Sequence, residues 1–228
     1  MEPLLNEEIK DQVRQVFAQL DQPVQVLFFG QKEDCYYCED TRQLLEEVVS
    51  LSDLLSLQVY DLEDDAEIAR QYNVDRAPGL VIAAKEGDQV HDYGIRYAGI
   101  PAGHEFSSLI HDIVLVSGRD SGLKRATRDV LARLTEPVHL QVFVTPTCPY
   151  CPRAVVLAHQ MALESPLIQS EMIEAIEFPE LANRFEVSSV PQTTINDGAA
   201  TVIGAVPEEH LLAEILRAVS QKADTPPS

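Results

Sequence analysis

The stretch that decides the fold is Thr145–Arg153, TPTCPYCPR, in which two cysteines three residues apart enclose a proline and a tyrosine. It follows Val138–Val144, VHLQVFV, an apolar run typical of a strand buried on both faces, and it opens an amphipathic helical pattern. A second pair lies in Glu33–Thr41, EDCYYCEDT, after a similar apolar run. The 228-residue chain contains 4 cysteines, so all of them belong to pairs of this kind.

The two halves of the chain form an internal repeat. The interval from Cys35 to Pro78 is 43 residues, and the interval from Cys148 to Pro191 is the same. The segments that lead to these prolines, AEIARQYNVDRAP and PELANRFEVSSVP, align without a gap at an offset of 113 residues. Further on, GIPAGHEF aligns with AVPEEHLL at an offset of 106. The first half therefore carries 7 extra residues, which we expect in the hairpin around KEGDQVHD.

Both halves show the same succession of patterns, from a helix and a buried strand through a cysteine-bearing helix to two paired strands and a last helix. A strand–helix–strand unit followed by two strands and a helix is typical of an α/β sandwich with parallel and antiparallel parts. We expect one unit in residues 1–117 and another in 118–228, packed together because the joining segment, VSGRDSG, is short. The C-terminal ADTPPS is expected to be disordered.

The charge of the chain excludes two classes of partner. There are 37 acidic side chains against 17 lysines and arginines, a formal net charge of −20. Nucleic acids and anionic membrane surfaces require clustered positive charge, so we predict neither as a partner. The opening MEPLLNEEIKDQ has no apolar segment of signal-peptide length, and no run approaches the ~20 apolar residues that span a bilayer. We therefore expect a cytoplasmic protein, in which paired cysteines are more often catalytic or metal-binding than structural.

The position of each cysteine pair at the start of a helix favours redox chemistry. A thiol reacts as its thiolate, which free N–H groups and the dipole at a helix N-terminus stabilise. The second cysteine, one turn inside the helix, can attack a mixed disulfide formed by the first and release the substrate. This predicts Cys35 and Cys148 as nucleophiles, with Cys38 and Cys151 as resolving thiols.

Two other interpretations of the cysteines are weaker. A four-cysteine zinc site usually places its pairs about 15–20 residues apart, whereas 109 residues separate Cys38 from Cys148. A purely structural disulfide is disfavoured because so short a loop restrains little of the unfolded chain. We therefore predict no metal. A zinc-holding protein or a chaperone-like adaptor without catalysis is the alternative from another functional class.

The repeated prolines and the tyrosines point to a substrate surface. A cis bond before Pro78 or Pro191 would turn the backbone of the preceding residue toward the thiols, where an extended substrate could pair with it. The tyrosines beside the cysteines either brace the thiols, touch the substrate or simply pack within their loops. The candidate substrate-binding residues are Tyr36, Tyr37, Ala77, Pro78, Pro149, Tyr150, Val190 and Pro191.

These motifs resemble a known family. CPYC followed by SSVPQTTIN resembles a glutaredoxin, and CYYC followed by DRAPG resembles a thioredoxin-fold relative of it. Two such units in one chain resemble the protein disulfide oxidoreductases, and the resemblance covers nearly the whole sequence. It implies an α/β protein of two tandem thioredoxin-like folds packed together, thiol–disulfide exchange on protein substrates, and cis bonds at both prolines.

The resemblance also implies partners. A thioredoxin-reductase-type flavoenzyme would donate electrons and a peroxiredoxin would accept them, with no cofactor of the chain's own. The alternative within the same chemistry is an electron-transfer component of an alkyl hydroperoxide reductase system, akin to the N-terminal region of its flavoprotein. That region also has two thioredoxin-like units but keeps one active pair, whereas this chain has two.

The sequence departs from the glutaredoxin and thioredoxin patterns at three positions. Thr145 stands where glutathione-binding glutaredoxins carry a basic residue, which argues against a dedicated glutathione site. Phe29 and Val142 stand where thioredoxins carry a buried acid on the strand before the thiols. The sequence therefore shows no proton acceptor for the resolving cysteines.

The two pairs should differ in thiolate stability. Four acidic residues between positions 33 and 40 flank Cys35, whereas Cys148 has no acid in that range and has Arg153 nearby. Like charges disfavour a thiolate, so we expect a higher pKa at Cys35. Cys148–Cys151 should then be the more oxidising pair and Cys35–Cys38 the more reducing one, a candidate internal donor. Titrating the nucleophilic thiolate that remains in the Cys35→Ser and Cys148→Ser variants measures the difference, and a lower pKa at Cys35 would contradict it.

Overall fold

The structure, a computed structural model, describes residues 3–223 of the chain. Within this range eight helices and eight strands follow one another in the predicted order. The helices are α1 (Glu7–Phe17), α2 (Cys38–Val49), α3 (Ala66–Gln71), α4 (Glu105–Gly118), α5 (Arg125–Leu131), α6 (Cys151–Glu164), α7 (Pro179–Arg184) and α8 (Glu208–Ala223). The strands are β1 (Val24–Gly30), β2 (Leu55–Asp61), β3 (Gly79–Glu86), β4 (Gln89–Ala98), β5 (Val138–Val144), β6 (Ile168–Glu174), β7 (Gln192–Ile195) and β8 (Ala200–Ile203). Of the tail expected to be disordered, residues 224–228 lie outside the described range.

One mixed sheet runs through both halves in the order β2-β1-β3-β4-β6-β5-β7-β8. In the first half, which ends with α4, β1 pairs parallel with β2 and antiparallel with β3, and β3 pairs antiparallel with β4. In the second half, which begins with α5, β5, β6, β7 and β8 repeat these pairings. The prediction of two tandem thioredoxin-like folds is confirmed.

The halves are joined by the parallel pairing of β4 with β6, in which Ile95–Ala98 lie against Ser170–Ile173. An unpaired edge strand would expose a row of N–H and C=O groups, and this pairing satisfies them for both halves. Helices α4 and α6 pack against each other across the same junction. The predicted boundary between residues 117 and 118 falls in the last turn of α4, and one apolar core cluster extends through both halves.

Helices cover both faces of the sheet. The large core cluster lies on the face covered by α1, α2, α4, α6 and α8. Two smaller clusters lie on the other face, one under α3 and one under α7. Because both faces are covered, β1 is buried along its whole length, as its nearly continuous apolar run predicts. Among residues 3–223, no helix has both the length and the apolar character needed to cross a bilayer.

The longer first hairpin is confirmed, but its alignment differs by one residue. Strands β3 and β4 contain 8 and 10 residues, against 4 each in β7 and β8. The N–H of Gly99 donates to the carbonyl of Pro78, and the N–H of Gly204 donates to that of Pro191, both at 2.8 Å. These bonds make Gly99 equivalent to Gly204, whereas the motif alignment paired it with Ala205. Backbone register, which residue types do not reveal, sets this equivalence.

Two glycines of the first hairpin differ in how closely they approach β6. Gly94 has φ of +77°, and a Cβ there would lie 2.5 Å from the carbonyl oxygen of Ile168 at the start of β6. Gly87, at the hairpin turn, has φ of +60° and no described atom within 4 Å of such a Cβ. Alanine at either site adopts a left-handed conformation that costs about 1–2 kcal/mol.

We expect Gly94→Ala to lower the free energy of unfolding in urea by at least about 1 kcal/mol more than Gly87→Ala does, because it alone pushes β6 away from β4. The Gly87→Ala variant controls for the left-handed backbone. Equal losses in the two variants would show that the pairing of β4 with β6 is not tightly constrained.

Candidate active sites

Both cysteine pairs are disulfides that follow a central strand, Cys35–Cys38 after β1 and Cys148–Cys151 after β5. In each, the two Cα atoms are 5.5 Å apart. The pairings make β1, β4, β6 and β5 point in one direction, so both disulfides lie at the same edge of the sheet. β1 and β5 are four strands apart, which at ~4.8 Å per strand separates them by about 19 Å.

The helices begin at the second cysteine of each pair. Helix α2 starts at Cys38 and α6 at Cys151, so the expectation that these residues lie one turn inside a helix is wrong. The first cysteine precedes the helix, in the turn that leads into it. In the second site the N–H of Cys151 nevertheless donates to Cys148 Sγ at 3.1 Å. A free N–H at the helix N-terminus thus points at the nucleophilic sulfur, as thiolate stabilisation requires.

The peptide bonds Ala77–Pro78 and Val190–Pro191 are both cis, as the resemblance predicted. The carbonyl oxygen of Val190 lies 3.8 Å from Cys148 Sγ. Strand β3 lies between β1 and the junction, whereas β7 lies on the outer side of β5. The Pro78 loop is therefore on the inner side of its disulfide and the Pro191 loop on the outer side.

The side chains beside the thiols differ in exposure. Tyr36 is 87% exposed and packs edge-on against Tyr37, while Tyr150 is 64% exposed and Pro149 is exposed as well. The carbonyl of Tyr37 accepts hydrogen bonds from the N–H and the hydroxyl of Thr41, at 2.9 and 2.6 Å. Tyr36 and Tyr150 present their rings to solvent, and Tyr37 also anchors the first turn of α2.

The surroundings of the two nucleophilic sulfurs are unlike. Cys148 is 8% exposed, whereas Cys35 is half-buried and its four acidic neighbours in the sequence are all exposed. Solvent screens exposed carboxylates, which limits their effect on the thiolate. Within residues 3–223 no hydrogen bond joins the N–H of Cys38 to Cys35 Sγ, in contrast to the second site.

A buried carboxyl group from the first half lies level with the start of α6, the helix that carries the second disulfide. Two contacts show that α4 and α6 run parallel: the N–H of His104 donates to the Pro146 carbonyl at 2.9 Å, and Asp112 Oδ2 lies 2.5 Å from His159 Nδ1. The Asp112–His159 contact sets the register of the two helices. Glu105 lies seven residues before Asp112 on α4, and Cys151 lies eight residues before His159 on α6. Because the rise per residue is the same in both helices, Glu105 is level with the first turn of α6, where Cys151 lies.

The environment of Glu105 suits it to proton transfer. Its side chain is 1% exposed, Oε2 accepts from the Ser108 hydroxyl at 2.5 Å, and Oε1 has no hydrogen-bond partner among the described residues. Burial raises the pKa of Glu105 to about 7, the Ser108 hydrogen bond opposes this, and the nearby charge of Asp112 adds to it. A carboxyl group that changes its protonation state near neutral pH can exchange a proton with a neighbouring thiol.

Sequence reasoning missed Glu105 because it looked for an acid on the strand before each cysteine pair, where Phe29 and Val142 stand. The structure places both of these apolar side chains in the core. The signal that could have found Glu105 is an acidic residue within the apolar pattern HEFSSLIHDIVLV. That signal does not reveal which other helix the acid faces.

Among the described residues, neither a cluster of metal ligands nor the cavity described below involves the disulfides. Within residues 3–223, no three His, Cys, Asp or Glu side chains converge as metal ligands would. A cavity of about 990 Å³ lies at the opposite edge of the sheet, where its lining includes His139, Gln169 and Asn196. That cavity touches neither disulfide.

Comparisons with known proteins agree with this geometry. A family model for the thioredoxin domain matches residues 138–217. The crystal structure of a protein disulfide oxidoreductase from Aeropyrum pernix K1 superposes with a TM-score of 0.86 at 36% identity, covering 95% of this chain and 94% of that one. The NTD_N/C domain of alkylhydroperoxide reductase AhpF from Enterococcus faecalis V583 gives a TM-score of 0.84 at 25% identity, over 92% and 99% of the two chains.

Among curated proteins, the F subunit of alkyl hydroperoxide reductase from Staphylococcus aureus strain NCTC 8325 is 28% identical over 193 residues, which is 85% of this chain and 34% of the relative. The chain thus spans about a third of the length of the curated relatives it matches. The 36% identity to the Aeropyrum pernix oxidoreductase extends over nearly all of both chains and is joined by two CxxC disulfides on thioredoxin folds. This chain therefore belongs to the protein disulfide oxidoreductases, enzymes of dithiol–disulfide exchange.

Proposed function

We propose that the chain reduces, forms or exchanges the disulfides of protein substrates, with Cys35 and Cys148 as nucleophiles and Cys38 and Cys151 as resolving thiols. The observation that carries the proposal is the pair of disulfides at one sheet edge, each accompanied by a cis-proline loop. In the reductive direction the first thiolate attacks a substrate disulfide and displaces one substrate thiolate. The second thiolate then attacks the mixed disulfide, which releases the reduced substrate and leaves the enzyme oxidised, so two electrons pass to the substrate.

The proposed substrate is an extended protein segment. The Val190 carbonyl beside Cys148 Sγ is available for main-chain pairing, and we assign the backbone of Ala77 the same role in the first site. The exposed rings of Tyr36 and Tyr150 would contact the substrate beside each nucleophile. The remaining candidates, Tyr37, Pro78, Pro149 and Pro191, would shape the same two surfaces.

Glu105 supplies the proton acceptor that the second site needs. Cys151 is fully buried, so its thiol cannot pass a proton directly to bulk water. When it attacks the mixed disulfide, the Glu105 carboxylate accepts its proton; when the disulfide is reduced again, the proton returns. In this proposal the unit in residues 1–117 and the unit in residues 118–228 both contribute to the second active site.

The two pairs act as separate sites. Thiol–disulfide exchange requires the sulfurs to come into contact, whereas β1 and β5 are about 19 Å apart within one paired sheet. Direct transfer from Cys35–Cys38 to Cys148–Cys151 within one chain is for this reason not part of the proposal. Each pair therefore exchanges electrons with its own substrate or partner.

The partners follow from the relatives. The matches to the F subunit of alkyl hydroperoxide reductase support a place in a peroxiredoxin-linked redox system. We propose a thioredoxin-reductase-type flavoenzyme as electron donor and a peroxiredoxin as acceptor, the partners that the resemblance to the protein disulfide oxidoreductases implies. A reducing cytoplasm is the compartment in which such a donor keeps both pairs turning over.

The test is reduction of insulin, and of a peroxiredoxin disulfide, by the full chain with dithiothreitol or a thioredoxin-reductase-type flavoenzyme as donor. We expect turnover by the unmodified protein, partial turnover by Cys35→Ser and by Cys148→Ser, and none by the double variant, because each site works alone. The metal content of the reduced protein is measured in parallel. Stoichiometric zinc without turnover in the unmodified protein would contradict the proposal.

A second prediction concerns the stability contributed by Glu105. Because burial raises its pKa from 4.5 to about 7, the folded chain binds more protons than the unfolded chain between these pH values. This contribution is fully present below about pH 4.5 and is lost as the pH rises through about 7. The pKa difference of about 2.5 corresponds to about 3 kcal/mol.

We expect the unfolding free energy of Glu105→Gln to gain about 3 kcal/mol relative to the unmodified chain between pH 4.5 and pH 8, because glutamine does not ionise. Urea unfolding at several pH values measures this difference. Glu39→Gln, at an exposed position, is the control and should run parallel to the unmodified chain. A pH-independent difference for Glu105→Gln would contradict the assignment.

A further inference from the structure

Three buried polar side chains meet where the halves join: Tyr97 on β4, Asp112 on α4 and His159 on α6, here called the junction triad. They are 1%, 0% and 0% exposed. Asp112 Oδ2 accepts a hydrogen bond from the Tyr97 hydroxyl and lies 2.5 Å from His159 Nδ1. The Tyr97 and His159 rings pack edge-on, with centroids 5.2 Å apart. The first half supplies two members and the second half supplies one.

The triad is costly to bury, which indicates a role other than cohesion. Among the described residues, Asp112 Oδ1 and His159 Nε2 are buried without a hydrogen-bond partner. Buried ionisable groups lose their hydration, and apolar side chains of similar volume often stabilise such a site as well or better. The surrounding junction is an apolar core. The triad restricts how α4 packs on α6, because its hydrogen bonds form in only one alignment of the two helices.

That alignment determines where Glu105 lies. Apolar helix faces alone permit sliding, whereas the Asp112–His159 contact fixes the axial register in the middle of both helices. The same register is held near the N-termini by His104 N–H on the Pro146 carbonyl, and near the C-termini by the Ser121 hydroxyl on Glu164.

The ionisable groups that face this region come from three elements. They are Tyr97 on β4, Glu105 and Asp112 on α4, and His159 on α6. Glu174, a further buried acid at the end of β6, accepts the N–H of Glu177 at 2.6 Å and belongs to a separate set of contacts. The junction triad therefore acts on the thiols through Glu105, the member of this group level with Cys151.

We propose that the junction triad positions Glu105 against Cys151, so that the register of the two halves sets the acid–base chemistry of the second site. Tyr97, Asp112 and His159 are positioning residues, because none of them contacts a cysteine sulfur among the described hydrogen bonds. The proposal rests on the proposed function of Glu105 as proton acceptor. It predicts that the first site is independent of the triad.

The test isolates the resolving step. In a Cys35→Ser/Cys38→Ser background, the reduced chain is mixed with the chromogenic disulfide reagent DTNB. The first release of coloured thiolate reports attack by Cys148, and the second reports attack by Cys151 on the mixed disulfide. The second rate is followed from about pH 5 to about pH 9, where Glu105 titrates near pH 7.

In the unmodified chain, the rate of the second release should change with an inflection near pH 7. We expect Glu105→Gln to remove this inflection and to slow the second release about tenfold or more. Tyr97→Phe/Asp112→Leu/His159→Leu, which leaves no unpaired buried charge, should produce the same loss. Adding Glu105→Gln to this triple variant should change nothing further, since both act on one proton transfer. In a Cys148→Ser/Cys151→Ser background, the triple variant should leave the kinetics of the first site unchanged.

Ser117→Ala is the matched control, because Ser117 is a buried polar residue of α4 whose hydroxyl, among residues 3–223, bonds only within the first half, to Asp21 and Gln22. In the Ser117→Ala variant, the second release should show the same pH profile as in the unmodified chain. An unmodified profile in the folded triple variant, additive effects with Glu105→Gln, or an equal change in Ser117→Ala would each overturn the proposal. Should the triple variant not fold, Asp112→Asn replaces it, and an unchanged profile there overturns the proposal too. Failure of the unmodified chain to reduce insulin would refute the proposed function separately.

Discussion

The backbone pairing of β4 with β6 is the constraint on which the arrangement of both active sites depends. Four residue pairs join β4 to β6, so that each strand, which would otherwise be an edge strand of its half, lies in the interior of the sheet. The same pairs fix the relative direction of the halves. Because the pairing is parallel, β1 and β5 point the same way and both disulfides open at one edge of the sheet. An antiparallel pairing would have placed the two disulfides at opposite edges, where one partner surface could not meet both.

The same pairing makes the two sites chemically unlike. It brings α4 of the first half against α6 of the second, and with it a buried carboxyl group level with Cys151. The first site has no equivalent neighbour among the described residues, because β2, the counterpart of β6, is the outermost strand on its side of the sheet. A repeat in sequence has thus become two different redox environments through the geometry of one junction.

The parts of this structure that sequence reasoning predicted are those governed by local pattern. The equal spacing from Cys35 to Pro78 and from Cys148 to Pro191, together with the apolar runs before the cysteines, predicts two thioredoxin-like units with redox pairs at helix starts. The features that the sequence did not predict depend on contacts between residues that are distant in sequence. Glu105 approaches α6 only because two strand edges pair, and the residue types along α4 carry no record of that partner. The start of each helix at its second cysteine likewise depends on turn geometry, which the CxxC motif leaves open.

Two features create the electrostatic contrast between the sites, and a third opposes it. The N–H of Cys151 on Cys148 Sγ favours the thiolate of the second site, and the exposed acids around Cys35 disfavour that of the first. A charged Glu105 would act against the thiols of the second site. Below its pKa of about 7 the carboxyl group is mostly neutral, so the contrast should be clearest in mildly acidic solution.

The most direct test of two distinct redox sites is to measure the reduction potential of each pair in one intact chain, by equilibration at about pH 6, rapid alkylation and mass spectrometry of the separate cysteine peptides. Two reversible couples with Cys148–Cys151 at the less negative potential would agree with the structure. A less negative potential at Cys35–Cys38, or a pair that does not cycle, would contradict it.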